Sequence, residues 1–150
     1  MYRSILAPLD GSKLAEAILP HVEELAQSYN SKVIFLGIVE PEPLIIAPEP
    51  VYTSFDGDSY RERVRQVESY LTTKQGEFQE KGIKAAIQVG HGPVVEGIVE
   101  TAEGEDVDLI AMASHGRTGL SRVFYGSVAA GVLHRVNRPL LLIRSLGGTS

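Results

Sequence analysis

The chain has no cysteine. This excludes disulfides, thiolate metal centres and a cysteine nucleophile. No apolar run approaches the ~18 residues that span a bilayer, and Met1 to Asp10 contains no apolar stretch of signal-peptide length. The expectation is a cytoplasmic protein with no membrane partner. No lysine follows Lys84 and no G-x-x-x-x-G-K-[ST] occurs, so the usual P-loop is excluded. A G-x-G-x-x-G after the first strand is also missing, which argues against a dinucleotide site. Beyond Asp108 there is no Asp or Glu.

What is present is a 150-residue chain with 43% hydrophobic and 22% charged residues. That composition is globular, and the length suits one domain that buries roughly two thirds of its unfolded surface. Net charge is −5, which speaks against a nucleic-acid partner. The charge is unevenly spread. All 19 acidic residues lie within the first 108 positions, against nine Lys and Arg, while Arg117, Arg122, Arg135, Arg138 and Arg144 follow unopposed. A cationic segment around glycine turns suits an anionic partner. Arg135 and Arg138, near a helix C-terminus, also fit dipole compensation.

Strand and helix signals alternate along the chain. Apolar runs predict strands over 4–8, 32–39, 84–89, 107–112 and 140–144. The 3.6-residue stripe Leu14, Ala17, Ile18, Val22, Leu25, Ala26 predicts a helix over 12–28, with Pro20 able to kink it. Further helices are expected over 59–81, 94–103 and 127–136, with Gly90-His91-Gly92-Pro93 as a turn. Residues 40–58 carry Pro41, Pro43, Pro48 and Pro50 and read as a long loop or lid; 145–150 reads as a flexible tail. The order β-α-β-α-β-α-β-α-β predicts an α/β fold: a single-domain open five-stranded parallel sheet, helices on both faces, strand order 3-2-1-4-5. Such sheets bind ligands at the carboxyl ends of strands, where strand order reverses.

Two strand ends carry suitable residues. After the fourth strand come Gly116 and Gly119, then Gly126-Ser127 at a helix start. Bare N–H groups and the helix dipole there favour a phosphate. Ser127 has two roles open to it, phosphate donor or N-cap. After the first strand, Asp10 suits a ribose hydroxyl, a nucleotide-borne metal, or N-capping. Met112-Ala113-Ser114-His115-Gly116 looks like a nucleophile elbow without its first glycine, but no acidic residue follows Ser114 to complete the Ser, Asp, His order. His21, His91, His115 and His134 show no metal-ligand spacing; His21 and His134 are expected on helix surfaces, His91 and His115 at the site rim.

With these residues in view the chain resembles the universal stress protein family over nearly its whole length. The likeness begins at Ile5-Leu6-Ala7-Pro8-Leu9-Asp10-Gly11-Ser12 and is strongest over 108–144, through Ser114-His115-Gly116-Arg117-Thr118-Gly119 and Gly126-Ser127-Val128. ATP-binding members are similar to G-x-x-G-x(9)-G-[ST]. Gly116 and Gly126-Ser127 match it, and Ala113 stands at the first glycine, where its methyl is expected to crowd the phosphates. The resemblance implies ATP or AMP as ligand, with Asp10 facing the ribose or a Mg²⁺ carried by the nucleotide. It implies Pro8 and Leu9 lining the pocket and Ile38 against the adenine. Met112, Ala113, Gly116 and Arg117 would surround the phosphates from one side, and Gly126, Ser127 and Val128 from the helix side. A homodimer through 140–143, an unidentified protein partner and a regulatory or sensor role in stress response are further implications, with slow ATP hydrolysis or a nucleotide-free interaction module as the alternatives.

Overall fold

A computed structural model describes residues 1–40, 57–114 and 126–144. Its elements are β1 (Ser4–Pro8), α1 (Lys13–Glu16), α2 (Leu19–Tyr29), β2 (Lys32–Val39), α3 (Gly57–Glu80), β3 (Lys84–His91), α4 (Val94–Gly104), β4 (Leu109–Ser114), α5 (Ser127–Arg135) and β5 (Leu140–Arg144). The five strands form one parallel sheet in the expected order, β3-β2-β1-β4-β5.

Strand side chains alternate between two apolar layers. Ile5, Ala7, Val33, Phe35, Leu109 and Ala111 pack beneath α1, α2 and α3 with Ile18, Val22, Leu71 and Phe78. Leu6, Ile34, Leu36, Ile110 and Met112 pack beneath α4 and α5 with Ile98, Ala102, Ala129 and Val132. Phe35 and Phe78 meet edge to face at 4.9 Å and 88°. Side chains buried this completely stabilise by about 1.5–3 kcal/mol each.

Three boundaries differ from the sequence expectation. The helix expected over 12–28 is two helices. Pro20, in the first turn of α2, lacks the N–H that would donate to the Glu16 carbonyl in a continuous helix. The chain tightens instead, with Ala17 donating to Leu14 and Ile18 to Ala15 at 3.3 Å each. Strand β3 runs to His91, through the expected Gly90-His91 turn, because β2 continues opposite it to Val39. Strand β4 lies two residues later than expected. Asp106, at φ +48°, turns the chain after α4, and Val107 still donates to Ala102; pairing with β5 then carries β4 to Ser114. Ala113 and Ser114 therefore belong to a strand, not to a turn. The expected loop over 40–58 and tail over 145–150 fall mainly or wholly outside the described residues.

Candidate functional site

The strand order reverses between β1 and β4, and there the sheet parts. The β1–β4 ladder holds only Ile5↔Leu109 and Leu6↔Ile110, whereas β1–β2 and β4–β5 each hold five pairs. The cause is Pro8. Alternate residues of a parallel strand address alternate neighbours. Leu9 donates to the Leu36 carbonyl of β2 at 2.9 Å, so position 8 faces β4. The next rung would need an N–H from residue 8 to the Ala111 carbonyl, and proline has none. Beyond that point β1 and β4 follow different partners, and the carboxyl ends of strands at such a reversal are where open parallel sheets form their ligand crevice.

One lip of the crevice is the turn Asp10-Gly11-Ser12. Asp10 Oδ1 accepts from the Ser12 N–H at 2.9 Å and the Ser12 hydroxyl at 2.6 Å. Gly11 sits at φ +86°, a value glycine adopts without strain. Ser12, and not Asp10, is the N-cap of α1; its Oγ accepts from the Ala15 N–H at 3.1 Å. Asp10 thus holds the turn in shape and stays exposed at its tip. Behind the turn, the Tyr70 hydroxyl of α3 donates to Glu16 Oε2, and Lys74 Nζ lies 3.6 Å from the same oxygen. Burial, the hydrogen bond to Glu16 and the negative charges of Glu16, Asp10 and Glu77 together push the Tyr70 phenol above the usual tyrosine range. This contact ties α3 to α1 across 54 residues of sequence, a separation at which sequence pattern gives no signal.

The other lip is the start of α5. Gly126 is its N-cap at φ +81°, ψ +152°, a region open to glycine and almost nothing else. Gly126 has no side chain with which to cap the first N–H groups. Ser127 is the first helical residue and is exposed, so it is not the N-cap. Met112, Val128 and Ile38 share the apolar layer beneath α4 and α5. Ile38 lies flat between β3 and α4, because a Cβ on Gly90 or Gly97 would fall within 2.7 or 2.6 Å of its Cδ1.

Leu9 and Ala113 lie in the opposite layer, beneath α1 to α3, and are 5% and 6% exposed. Their side chains point away from Met112 and Val128, and only their backbone borders the crevice. The methyl of Ala113 therefore occupies a different layer from the one expected of a group that crowds phosphates. Pro8 is half-buried at the end of β1, opposite Leu36. Gly116, Gly119, His115, Arg117 and Arg122 lie outside the described residues.

Of the other cations, Arg138 donates to Asp106 Oδ1 and to the Val107 carbonyl, each at 2.9 Å, and Arg135 lies 3.9 Å from Glu96. Those arginines serve the fold. His21 and His134 are exposed on their helices. His91, at the end of β3, meets the Tyr60 hydroxyl through Nδ1, and Arg63 lies over the Tyr60 ring at 5.4 Å. Among the described residues no three His, Asp or Glu side chains come together as a metal site.

A sequence profile of the universal stress protein family matches residues 1–144. Universal stress protein MJ0577 of Methanocaldococcus jannaschii is 27% identical over 155 aligned positions that cover 96% of each chain. Its solved structure superposes with a TM-score of 0.83 at 28% identity and 99% coverage of both chains. Two more distant structures share the fold. A universal stress protein in complex with cAMP has 20% identity, TM-score 0.68 and coverage of 96% and 98%. The protein from Archaeoglobus fulgidus in complex with dAMP has 19% identity, TM-score 0.65 and coverage of 95% and 98%. The chain belongs to the universal stress protein family.

Proposed function

We propose that this member of the universal stress protein family binds an adenine nucleotide in the crevice between β1 and β4 and acts as a single-domain, homodimeric regulator in the cytoplasm. The observation that carries this reading is the parting of the sheet at Pro8, together with an α5 N-terminus that follows β4 in the chain and is opened by Gly126 at a glycine-only conformation. N–H groups that Gly126 cannot cap are the chemistry a phosphate needs. The apolar layer of Ile38 and Met112, with Val128 beside it, offers a surface for the base. Asp10, exposed at its turn, suits a ribose hydroxyl or a Mg²⁺ carried by the phosphates. Gly116 and Arg117 would close the phosphate side, with Ser127 donating from the helix.

Two proteins of this fold hold cAMP and dAMP. At their level of identity they support the fold alone, so the ligand is argued from this chain's own residues. The geometry suits binding better than turnover. Hydrolysis needs a base or a committed metal to activate water, and Asp10 already spends one carboxylate oxygen on the Ser12 turn. Dimerisation through 140–143 is supported by Leu140 to Ile143, four consecutive apolar residues that are all half-exposed on an edge strand.

Calorimetric titration of the nucleotide-stripped protein with ATP and Mg²⁺, repeated with AMP, tests the reading. The expected result is saturable binding at micromolar concentration. Heat of dilution alone with both nucleotides would overturn it.

A further inference from the structure

Strand β3 is the other edge of the sheet. Gly92 donates to the Val39 carbonyl of β2, so even-numbered positions here face β2, while Ala85, Ile87 and Val89 direct their N–H and C=O groups outward. The carbonyl of Ala85 is taken by the side-chain amides of Gln75 and Gln79 on α3, at 3.0 and 3.5 Å. Side-chain cover of this kind is how an open edge is kept from pairing. Among the described residues no side chain gives Ile87 or Val89 the same cover.

Alongside this uncovered half runs a groove of about 290 Å³ between β3 and α4. Gly90 and Gly97 form its floor, and Gln88, Thr101, Glu100 and Glu105 border it. Its lining mixes polar and apolar surface, and two exposed carboxylates, Glu100 and Glu105, stand on its helix side.

We propose that the open half of β3 and this groove form a docking site for an extended basic peptide segment. The segment adds to the sheet as a further strand and lays alternate Lys or Arg side chains in the groove. Unpaired backbone on an edge strand is a template for such an addition, and the adjoining groove selects the side chains. Charge selects basic residues. Glu100 on α4 and Glu105 at its C-cap both border the groove and both are exposed, so cations on the groove-facing side of the added strand meet carboxylates.

The test uses the full chain and a fluorescein-labelled peptide about ten residues long with Lys and Val alternating, with a Glu and Val peptide as control. Fluorescence anisotropy at low salt reads affinity, and residue-resolved amide exchange reads the site. Only the lysine peptide is expected to bind, and it should slow exchange at Ile87 and Val89. The double variant Glu100→Lys/Glu105→Lys should weaken it at least ~10-fold, the loss of two exposed ion pairs, without a change in Tm. Val89→Pro, which removes an outward N–H at an edge position where proline is tolerated, should abolish the protection. Failure of the lysine peptide to bind, equal affinity for the charge-reversed variant, or binding that leaves both amides fast would each overturn the proposal. Slow exchange of both amides in the free protein would overturn it too, since the edge would then already be paired.

Discussion

The two ends of the sheet are built on opposite principles. At the amino end side chains stitch the start of β1 and the turns into β2 and β4. Asp108 Oδ2 accepts from the Arg3 and Ser4 N–H groups at 2.8 and 3.2 Å, the Ser31 hydroxyl donates to the Tyr2 carbonyl, and Arg138 clasps the turn after α4. At the carboxyl end the ladder is cut at Pro8, and the N-cap residues of α4 and α5 supply no side-chain cap. Glycines at positive φ, Gly11, Gly92 and Gly126, hold the backbone open there. A parallel sheet delivers all its strands to the same end, so stability and ligand access can be separated in space. The amino end carries the connections that must not move. The other end is where open parallel sheets take their ligands.

Substitutions at the two ends should separate these roles, and the largest effect is expected at Gly126. A valine there cannot hold φ +81°, ψ +152°, so Gly126→Val should weaken nucleotide binding about 100-fold, or ~2.7 kcal/mol, by calorimetry. Unfolding free energy should fall by about 1–3 kcal/mol from the same strain. Next comes Asp108→Ala at the opposite end. It strands two backbone donors and should cost about 1–3 kcal/mol in denaturant unfolding, with nucleotide affinity unchanged. A loss of affinity equal to that of Gly126→Val would erase the division between the ends.

Pro8→Ala should sharpen it. The alanine restores the N–H that can extend the β1–β4 ladder, a gain of about 0.5–1.5 kcal/mol, against about 0.4–1 kcal/mol lost through a freer unfolded chain. Stability should barely change while affinity falls several-fold as the crevice narrows. Backbone amide exchange at residue 8 would show whether the new rung forms. The smallest effect on binding is expected at Ala113. Its side chain lies in the layer away from the crevice, so Ala113→Gly should alter affinity less than ~2-fold, within a few tenths of a kcal/mol. It should cost about 0.5–1 kcal/mol of stability as a glycine in a strand interior. A large gain in affinity would show that the methyl does obstruct the ligand.

Much of this architecture is legible before any coordinates. Apolar periodicity located every strand, because burial on both faces of a parallel sheet demands continuous apolar runs. The handedness of crossovers then makes them a parallel sheet with helices on both faces, and the strand order found is 3-2-1-4-5. Glycine spacing pointed to Gly126, since only glycine suits the conformation found there. Boundaries were less legible where a competing bond decided them. Pro20 divides a helix whose apolar stripe reads as continuous, and β3 extends through a glycine turn signal because its neighbour keeps pairing.

What the sequence by itself determined is the family, the five strands with their alternating helices and the candidate glycine turns, since these depend on local pattern and spacing. Only the tertiary structure decided which way each residue faces and what it meets. Two-residue parity sends Ala113 and Leu9 to one layer and Met112 to the other, and that parity depends on a strand register that pattern alone does not fix. The missing N–H of Pro8 acquires its meaning from Ala111, more than 100 residues away, as does the stitching of the amino end by Asp108. Local chemistry selects the elements. Contacts between distant positions decide where they leave the sheet closed and where they leave it open.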